Sequence, residues 1–171
     1  MVNQFQTGIF AMLNEKKEEL IRRGRKIYNL SIGTPDFSPA PHIMKAMQDA
    51  CGNPENYKYS LRDIPELIEA VQYRYKHRFQ VDLEPDEIMS VYGSQEGLTH
   101  IGLAVCDPGD VVLVPNPGYP IFEMGPMLCG AKIEYYELRP ENDYLPDLDA
   151  IDPELARKAK MMVVSYPANP V

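Results

Sequence analysis

The 171 residues are 44% hydrophobic and 25% charged, which is the composition of a folded globular chain and excludes a disordered one. The net charge is −8 and no block of Lys or Arg occurs, so we expect neither a nucleic-acid nor a membrane partner. The three cysteines, Cys51, Cys106 and Cys129, form no CxxC pair and are expected to be buried thiols rather than metal ligands or disulfides. With no signal-peptide pattern at the N-terminus, a reduced, cytoplasmic protein is predicted.

The N-terminal half predicts helices separated by loops. Apolar residues at helical spacing indicate an amphipathic helix over residues 8–24. A second helix is expected to begin at Pro41 and to run to Cys51. A third is expected from Pro65, with Asp63 as its N-cap and an apolar side that covers a surface.

From residue 87 onward, strands and helices are predicted to alternate. The VVLV run is wholly apolar, as in a parallel strand that is covered on both faces, and the helix after Ser94 is apolar enough to be buried, with His100 in the core. The pattern favours an α/β fold with a mostly parallel sheet and helices on both faces, preceded by an N-terminal helical segment. The predicted strands are 87–92, 111–114, 132–138 and 161–165, and the predicted helices between them are 95–106, 120–130 and 153–159.

Two loops of this alternating region have the chemistry of a binding site. In YGSQEG, a glycine turns the chain into a helix, and the free N–H groups of a helix N-terminus suit a phosphate, with Ser94 and Gln95 as further donors. In PNPGYP, prolines on both sides restrict Tyr119, whose ring is either a rigid platform for a flat ligand or part of a packed turn.

Two further loops carry candidate residues. In SYPANP, the flanking prolines direct Asn169, which either binds a ligand or forms an Asx-type turn. In LSIGTPDF, Gly33 allows a ligand to approach the backbone, although an ordinary loop would have the same composition. No histidine pair, GxSxG elbow or EF-hand spacing suggests another chemistry.

Taken in order, the segments NLSIGTPDF, YKYSLRDIPELIEAV, YGSQEGL, VPNPGYP and SYPANP resemble the first part of a fold-type I enzyme of the class I/II aminotransferases, which depend on pyridoxal 5′-phosphate (PLP). The branch that includes LL-diaminopimelate aminotransferases is the most similar. The resemblance implies an α/β PLP-transferase fold, a homodimer, and amino-group transfer between an amino acid and a 2-oxo acid.

The resemblance also implies roles for individual residues. Arg62 and Asp63 stand where the family has a glycine after its tyrosine, so Tyr57 and Tyr59 both remain candidates for one of these roles. By resemblance, Ser94 and Gln95 would bind the cofactor phosphate, Tyr119 would stack on the pyridine ring, and Asn169 would bind the phenolic oxygen. Tyr57 or Tyr59 would reach the phosphate of the neighbouring subunit, and Gly33 would lie near the substrate carboxylate.

The domains expected from the resemblance are residues 1–40, a helix and arm segment of the small domain, and residues 41–171, the first part of the PLP-binding large domain, truncated at Val171. The family's Schiff-base lysine would lie beyond Val171, so no catalytic residue is expected within the chain, and the chain alone is predicted to be inactive. The alternatives are a PLP-dependent C–S lyase of the same fold, a non-catalytic dimerisation module or remnant, and a generic phosphate-binding α/β protein.

Overall fold

The computed structural model describes residues 9–30, 33, 35 and 37–171. Its contacts group into two compact units, Met1–Arg62 and Asp63–Val171. The predicted domains, 1–40 and 41–171, rest on the architecture of the family. The two compact units are defined by contacts within this chain and do not test those domains. That domain boundary therefore stays a prediction.

The described residues of the first unit form two helices and a short turn. They are α1 (Ile9–Arg22), α2 (Pro41–Cys51) and a 3₁₀ turn at Pro54–Tyr57. The prediction that Cys51 is buried is wrong, because Cys51 and every other residue of α2 are exposed. The hydroxyl of Tyr57 donates to the backbone oxygen of Cys51 at 2.8 Å and ties the turn to the end of α2.

The second unit is built around a three-stranded sheet. The strand order is β2-β1-β3, and β1 is parallel to both of its neighbours. Parallel strands that alternate with helices confirm the predicted α/β fold. The elements are α3 (Pro65–Phe79), α4 (Ser94–Val105), β1 (Val111–Asn116), α5 (Ile121–Leu128), β2 (Lys132–Glu137), α6 (Pro153–Lys158) and β3 (Ala159–Met162), with 3₁₀ turns at Pro85–Glu87 and Pro140–Asn142.

The central strand β1 forms the core, as its apolar run predicts. Val112 and Val114 are 0% and 1% exposed and lie in one cluster with Phe122 of α5. Leu113 points to the other face, where Leu155 of α6 packs against its cluster. Each such side chain contributes about 1.5–3 kcal/mol through burial, so helices on both faces hold β1 in place.

The strand predicted over residues 87–92 is absent. Ile88 has extended backbone angles, with φ −121° and ψ 128°, so the local preference of this segment is met. However, no strand among the described residues pairs with it, and the Met89 side chain stays 80% exposed. A strand needs a hydrogen-bonded neighbour as well as β-forming residues, so sequence pattern alone overestimated the sheet here.

Helix α4 is also less buried than its composition predicts. It packs on α5 with one face, and Gly102 is its only buried residue. Ile101 and Leu103, which flank Gly102 on different sides of the helix, are both exposed. The prediction that His100 lies in the core is therefore wrong, because its side chain is 61% exposed and lies 3.8 Å from the Glu96 carboxylate.

The predicted N-cap of α3 is wrong as well, for an electrostatic reason. The helix begins after Ile64, and no side chain caps it. The Asp63 carboxylate instead accepts hydrogen bonds from the hydroxyl and the backbone N–H of Ser90, the latter at 2.9 Å. These two bonds, led by the hydroxyl, hold the pKa of Asp63 below its ordinary value and tie the start of α3 to the segment before α4.

Candidate functional site

The N-terminus of α4 provides backbone donors for an anion. Gly93 has φ +92°, a conformation that side-chain-bearing residues rarely adopt, and it turns the extended segment directly into the helix at Ser94. The first N–H groups of a helix have no carbonyl partner four residues earlier, and the helix dipole makes this end positive. Ser94 is the first residue of the helix and is exposed, and its predicted role as a further donor stays a prediction.

Glu96 is an electrostatic feature of this terminus that sequence reasoning missed. Its carboxylate Oε2 accepts from the backbone N–H of Tyr92 at 2.5 Å, a group that lies before the helix. The Glu96 carboxylate therefore binds the N–H of Tyr92, which lies outside the first turn of the helix. The N–H groups of Ser94 and Gln95 remain for a ligand.

The loop after β1 presents the ring of Tyr119. This residue is half-buried and packs against the cluster that contains Val112 and Val114. Its ring meets that of Phe122 edge to face, with the centroids 6.1 Å apart and an interplanar angle of 72°. At the start of the loop, the Asn116 amide donates to Glu137 of the neighbouring strand at 2.9 Å, so the loop is anchored where it leaves the sheet.

A hydrogen bond joins these two parts of the site. The Gln95 Nε2 atom donates to the Tyr119 hydroxyl oxygen at 2.9 Å, across a sequence separation of 24 residues. The donors at the start of α4 and the aromatic ring therefore lie side by side. A small ligand that carries both an anionic group and a flat ring could bind the donors with the first and stack on Tyr119 with the second.

A cavity of about 240 Å³ lies beside the Tyr119 loop, and it is lined by Asn116, Phe122, Glu123 and Tyr135 in addition to Tyr119. The Tyr135 hydroxyl donates to the Glu123 carboxylate at 2.6 Å. This hydrogen bond, then burial and the carboxylate charge, raise the pKa of Tyr135 to about 12. Neither residue was singled out from the sequence, since adjacent tyrosines on a strand point to opposite faces and give no signal of a partner.

We expect Glu123→Gln to lower the pKa of Tyr135 towards its ordinary value of 10, because the variant removes the carboxylate that favours the protonated phenol. The raised value means that the Tyr135–Glu123 contact stabilises the fold below pH 10 and loses this effect as the pH rises through about 12. Ultraviolet absorbance of phenolate during alkaline titration measures the shift, with Tyr135→Phe identifying the transition. An identical titration curve in Glu123→Gln contradicts the assignment.

Asn169 lies in the exposed segment that follows β3, and its amide has no hydrogen-bond partner among the described residues. The segment is held next to it, since Ala168 packs on the cluster around Leu113. The Tyr166 hydroxyl also donates to the Tyr144 backbone oxygen at 2.9 Å. The structure does not bring Asn169 into hydrogen-bonding contact with Tyr119, and its predicted role stays a prediction.

The remaining predicted residues belong to the first unit. Gly33 is exposed, and its neighbours at 31, 32 and 34 lie outside the described residues. Tyr57 and Tyr59 are 72% and 89% exposed. The Tyr57 hydroxyl already donates to Cys51, whereas that of Tyr59 has no partner in the described part of the chain. The roles predicted for these residues stay predictions.

A larger cavity of about 660 Å³ lies beside β2, away from the predicted loops. Its floor includes Leu113 and Tyr136, and its rim carries carboxylates. Carboxylates repel a phosphate, so this cavity does not suit the ligand that the α4 terminus favours. The acidic residues that line it are Glu137, Glu141, Asp147 and Asp152, with Arg139 as the one base among its lining residues.

The described residues contain neither a metal-binding cluster nor a membrane-spanning helix. No group of three or more His, Cys, Asp or Glu side chains that could hold a metal ion is found within residues 9–30, 33, 35 and 37–171. Over the same ranges, no helix is both long enough and apolar enough to cross a bilayer.

Comparison with known proteins identifies one family. The model of "Aminotransferase class I and II" matches residues 25–171. The LL-diaminopimelate aminotransferase of Aquifex aeolicus is 42% identical over 164 residues, which is 95% of this chain and 42% of that protein. The protein of the same name from Moorella thermoacetica is 39% identical over 171 residues, covering 99% of this chain and 44% of that protein.

Solved structures show the same likeness. Apo-BacF of Bacillus subtilis superposes with a TM-score of 0.89 and 36% identity, over 98% of this chain and 43% of that one. A probable N-succinyldiaminopimelate aminotransferase of Thermus thermophilus gives a TM-score of 0.87 and 32% identity, over 95% and 44% of the two chains. The chain therefore spans less than half the length of these relatives.

Proposed function

The chain belongs to the class I and II aminotransferase family, whose members are PLP-dependent enzymes, and we propose that it forms part of an enzyme that transfers an amino group between an amino acid and a 2-oxo acid. The observation that carries this proposal is the contact of Gln95 with Tyr119, which places the α4 donors beside an aromatic ring. PLP combines a phosphate with a pyridine ring, so its binding site needs hydrogen-bond donors for the phosphate and an aromatic ring to stack on the pyridine.

The residues at the site fit this cofactor. The hydroxyl of Ser94 and the N–H groups of Ser94 and Gln95 are the donors for the phosphate, at the positive end of α4. The ring of Tyr119 provides a half-buried platform for the pyridine ring. When bound, PLP supplies an electron sink for amino-acid chemistry, while the chain's own residues bind and orient it.

Three further contacts belong to the proposal. Asn169, on the segment that follows β3, donates its amide to the phenolic oxygen of the cofactor, and Gly33 lies near the substrate carboxylate. The whole protein is a homodimer in which Tyr59 or Tyr57 of a second copy reaches the phosphate. Tyr59 is favoured, because its hydroxyl is not already committed to a backbone carbonyl as that of Tyr57 is. We propose a cytoplasmic location, because Cys51, Cys106 and Cys129 are free thiols, as expected in a reducing compartment.

We further propose that these 171 residues do not transaminate by themselves. The lysines on the sheet, Lys132 and Lys160, stand near the amino ends of β2 and β3, whereas the Tyr119 loop leaves the carboxyl end of β1. Neither amine is placed to act as a nucleophile beside Tyr119. Turnover of amino acids and 2-oxo acids by the purified chain with PLP would contradict this.

Ligand binding tests the proposed cofactor site. We expect the purified chain to bind PLP at least about tenfold more tightly than pyridoxal, because a phosphate adds charge-assisted hydrogen bonds at the α4 terminus. Inorganic phosphate should compete with PLP. Equilibrium dialysis with absorbance detection measures both, and equal affinity for PLP and pyridoxal would remove the basis for the proposal.

A second candidate is a non-catalytic module that acts by association with another chain. The exposed apolar side chains of Ile101 and Leu103 on α4, and the unpaired extended segment around Met89, favour it. Such a module would dimerise without retaining PLP. Sedimentation velocity with and without PLP separates the two candidates.

A further inference from the structure

The contact between Gln95 and Tyr119 has a role beyond marking the site. The donor is in the first turn of α4, and the acceptor lies in the loop after β1. Both side chains belong to the proposed cofactor site. A side-chain hydrogen bond between two such residues controls how one is presented to a ligand as well as how the fold holds together.

The ring of Tyr119 packs against the buried cluster around β1. Its inner side meets Phe122 edge to face and lies against the cluster of buried residues around Val112 and Val114. The hydroxyl end extends to the start of α4, where Gln95 is exposed. Edge contacts allow an aromatic ring to tilt, and the Gln95 amide is the hydrogen-bond donor at the outer end of this ring.

We propose that Gln95 is a positioning residue that sets the plane of the Tyr119 ring relative to the anion-binding start of α4; this rests on the proposed function. The Nε2 atom of a glutamine carries two hydrogens. Donating one to Tyr119 leaves the other for a phosphate oxygen. A single side chain thereby links the stacking platform to the phosphate end of the site, and it favours ligands in which ring and phosphate are covalently joined at a fixed spacing.

A double-mutant cycle on the full 171-residue chain tests this link. Gln95→Leu removes the amide, Tyr119→Phe removes the hydroxyl but keeps the ring, and the double variant removes both. We expect Gln95→Leu to weaken PLP binding about two- to tenfold, which is the effect of one net hydrogen bond. In the Tyr119→Phe background, the same substitution should have a clearly smaller effect. Fold-changes that simply multiply would overturn the proposal.

A measurement without any ligand separates this inference from the proposed function. In a chain labelled with 3-fluorotyrosine, the ¹⁹F resonance that disappears in Tyr119→Phe belongs to Tyr119. We expect Gln95→Leu to shift that resonance as the ring reorients, and an unchanged resonance overturns the positioning role. If the wild-type chain binds no PLP, the proposed function fails, and this comparison still decides whether Gln95 positions the ring.

Two further variants sharpen the result. Gln95→Glu can only accept a hydrogen bond from the Tyr119 hydroxyl, which reverses the bond and places a negative charge beside the site, so it should weaken PLP binding more than tenfold. Gln72→Leu is the matched control, because Gln72 donates at 2.7 Å to the Leu83 backbone oxygen, outside the site. It should leave the Tyr119 resonance unchanged, and a shift there equal to that of Gln95→Leu would contradict the proposal.

Discussion

Gly102→Ala is expected to lower the free energy of unfolding by about 2 kcal/mol, although alanine is the better helix former. Gly102 lies in α4 where that helix meets α5. A Cβ atom there would lie 2.8 Å from the backbone carbon of Gly125 and 2.8 Å from the backbone nitrogen of Pro126. Backbone atoms of a packed helix cannot move aside cheaply, so the helices must separate.

The same contact seen from α5 gives the same expectation. A Cβ on Gly125 would lie 2.8 Å from the Leu98 backbone oxygen and 2.8 Å from the Thr99 Cα. Two facing glycines thus let the two backbones touch. We expect Gly125→Ala to destabilise the chain about as much as Gly102→Ala, and the double variant to cost less than the sum, because one separation of the helices relieves both clashes.

Gly97→Ala is the matched control for this prediction. Gly97 also lies in α4, but a Cβ there would meet only the Val91 side chain at 3.5 Å, an ordinary contact. Alanine's better helix propensity should then raise stability by up to about 1 kcal/mol. Urea unfolding followed by circular dichroism measures all four variants, and equal midpoints for Gly97→Ala and Gly102→Ala would show that the backbones do not touch.

The second large effect is expected at Ser94. Ser94→Asp should weaken PLP binding more than about a hundredfold, because a carboxylate within about 4 Å of a phosphate costs several kcal/mol near a protein surface. The same substitution should leave the fold intact or stabilise it by about 0.3–1 kcal/mol, since an acidic residue at a helix N-terminus interacts favourably with the dipole. Opposite effects on binding and stability are specific to an anion site.

Controls isolate the charge. Asparagine has nearly the same size as aspartate but carries no charge, so Ser94→Asn should weaken PLP binding far less than Ser94→Asp. Ser94→Ala should cost about two- to tenfold, the effect of one hydrogen bond. Binding is measured by dialysis with PLP and stability by thermal unfolding. If Ser94→Asp binds PLP as tightly as Ser94→Asn does, the phosphate does not lie at the start of α4.

Much of the fold was predictable because the relevant signals are local. The apolar run in β1 predicts a strand buried on both faces, and Val112 and Leu113 are indeed buried in clusters on opposite faces of the sheet. Pro41 and Pro65 mark the starts of two helices as expected. The failures concern partners. Residues 87–92 form no strand, since nothing among the described residues pairs with them.

The site shows the same division. The loop chemistry around Ser94 and Tyr119 predicts an anion donor and an aromatic platform, because glycine, proline and helix termini act through the local backbone. The Gln95–Tyr119 bond and the Tyr135–Glu123 bond were not predictable, since each joins residues on different elements. Similarly, the clash at Gly102 depends on where α5 lies.

The sequence by itself indicated the family and most of the helices and strands, because motifs, periodicity and turn residues act over a few neighbouring positions. The roles of the site residues stay predictions. Only the tertiary structure decided which surfaces are covered and which side chains meet. It left His100 exposed, assigned Asp63 to Ser90 instead of to α3, and set the Tyr119 ring against Gln95. Burial and side-chain contacts depend on how helices and strands pack against one another, and a local sequence pattern does not specify the distances between elements.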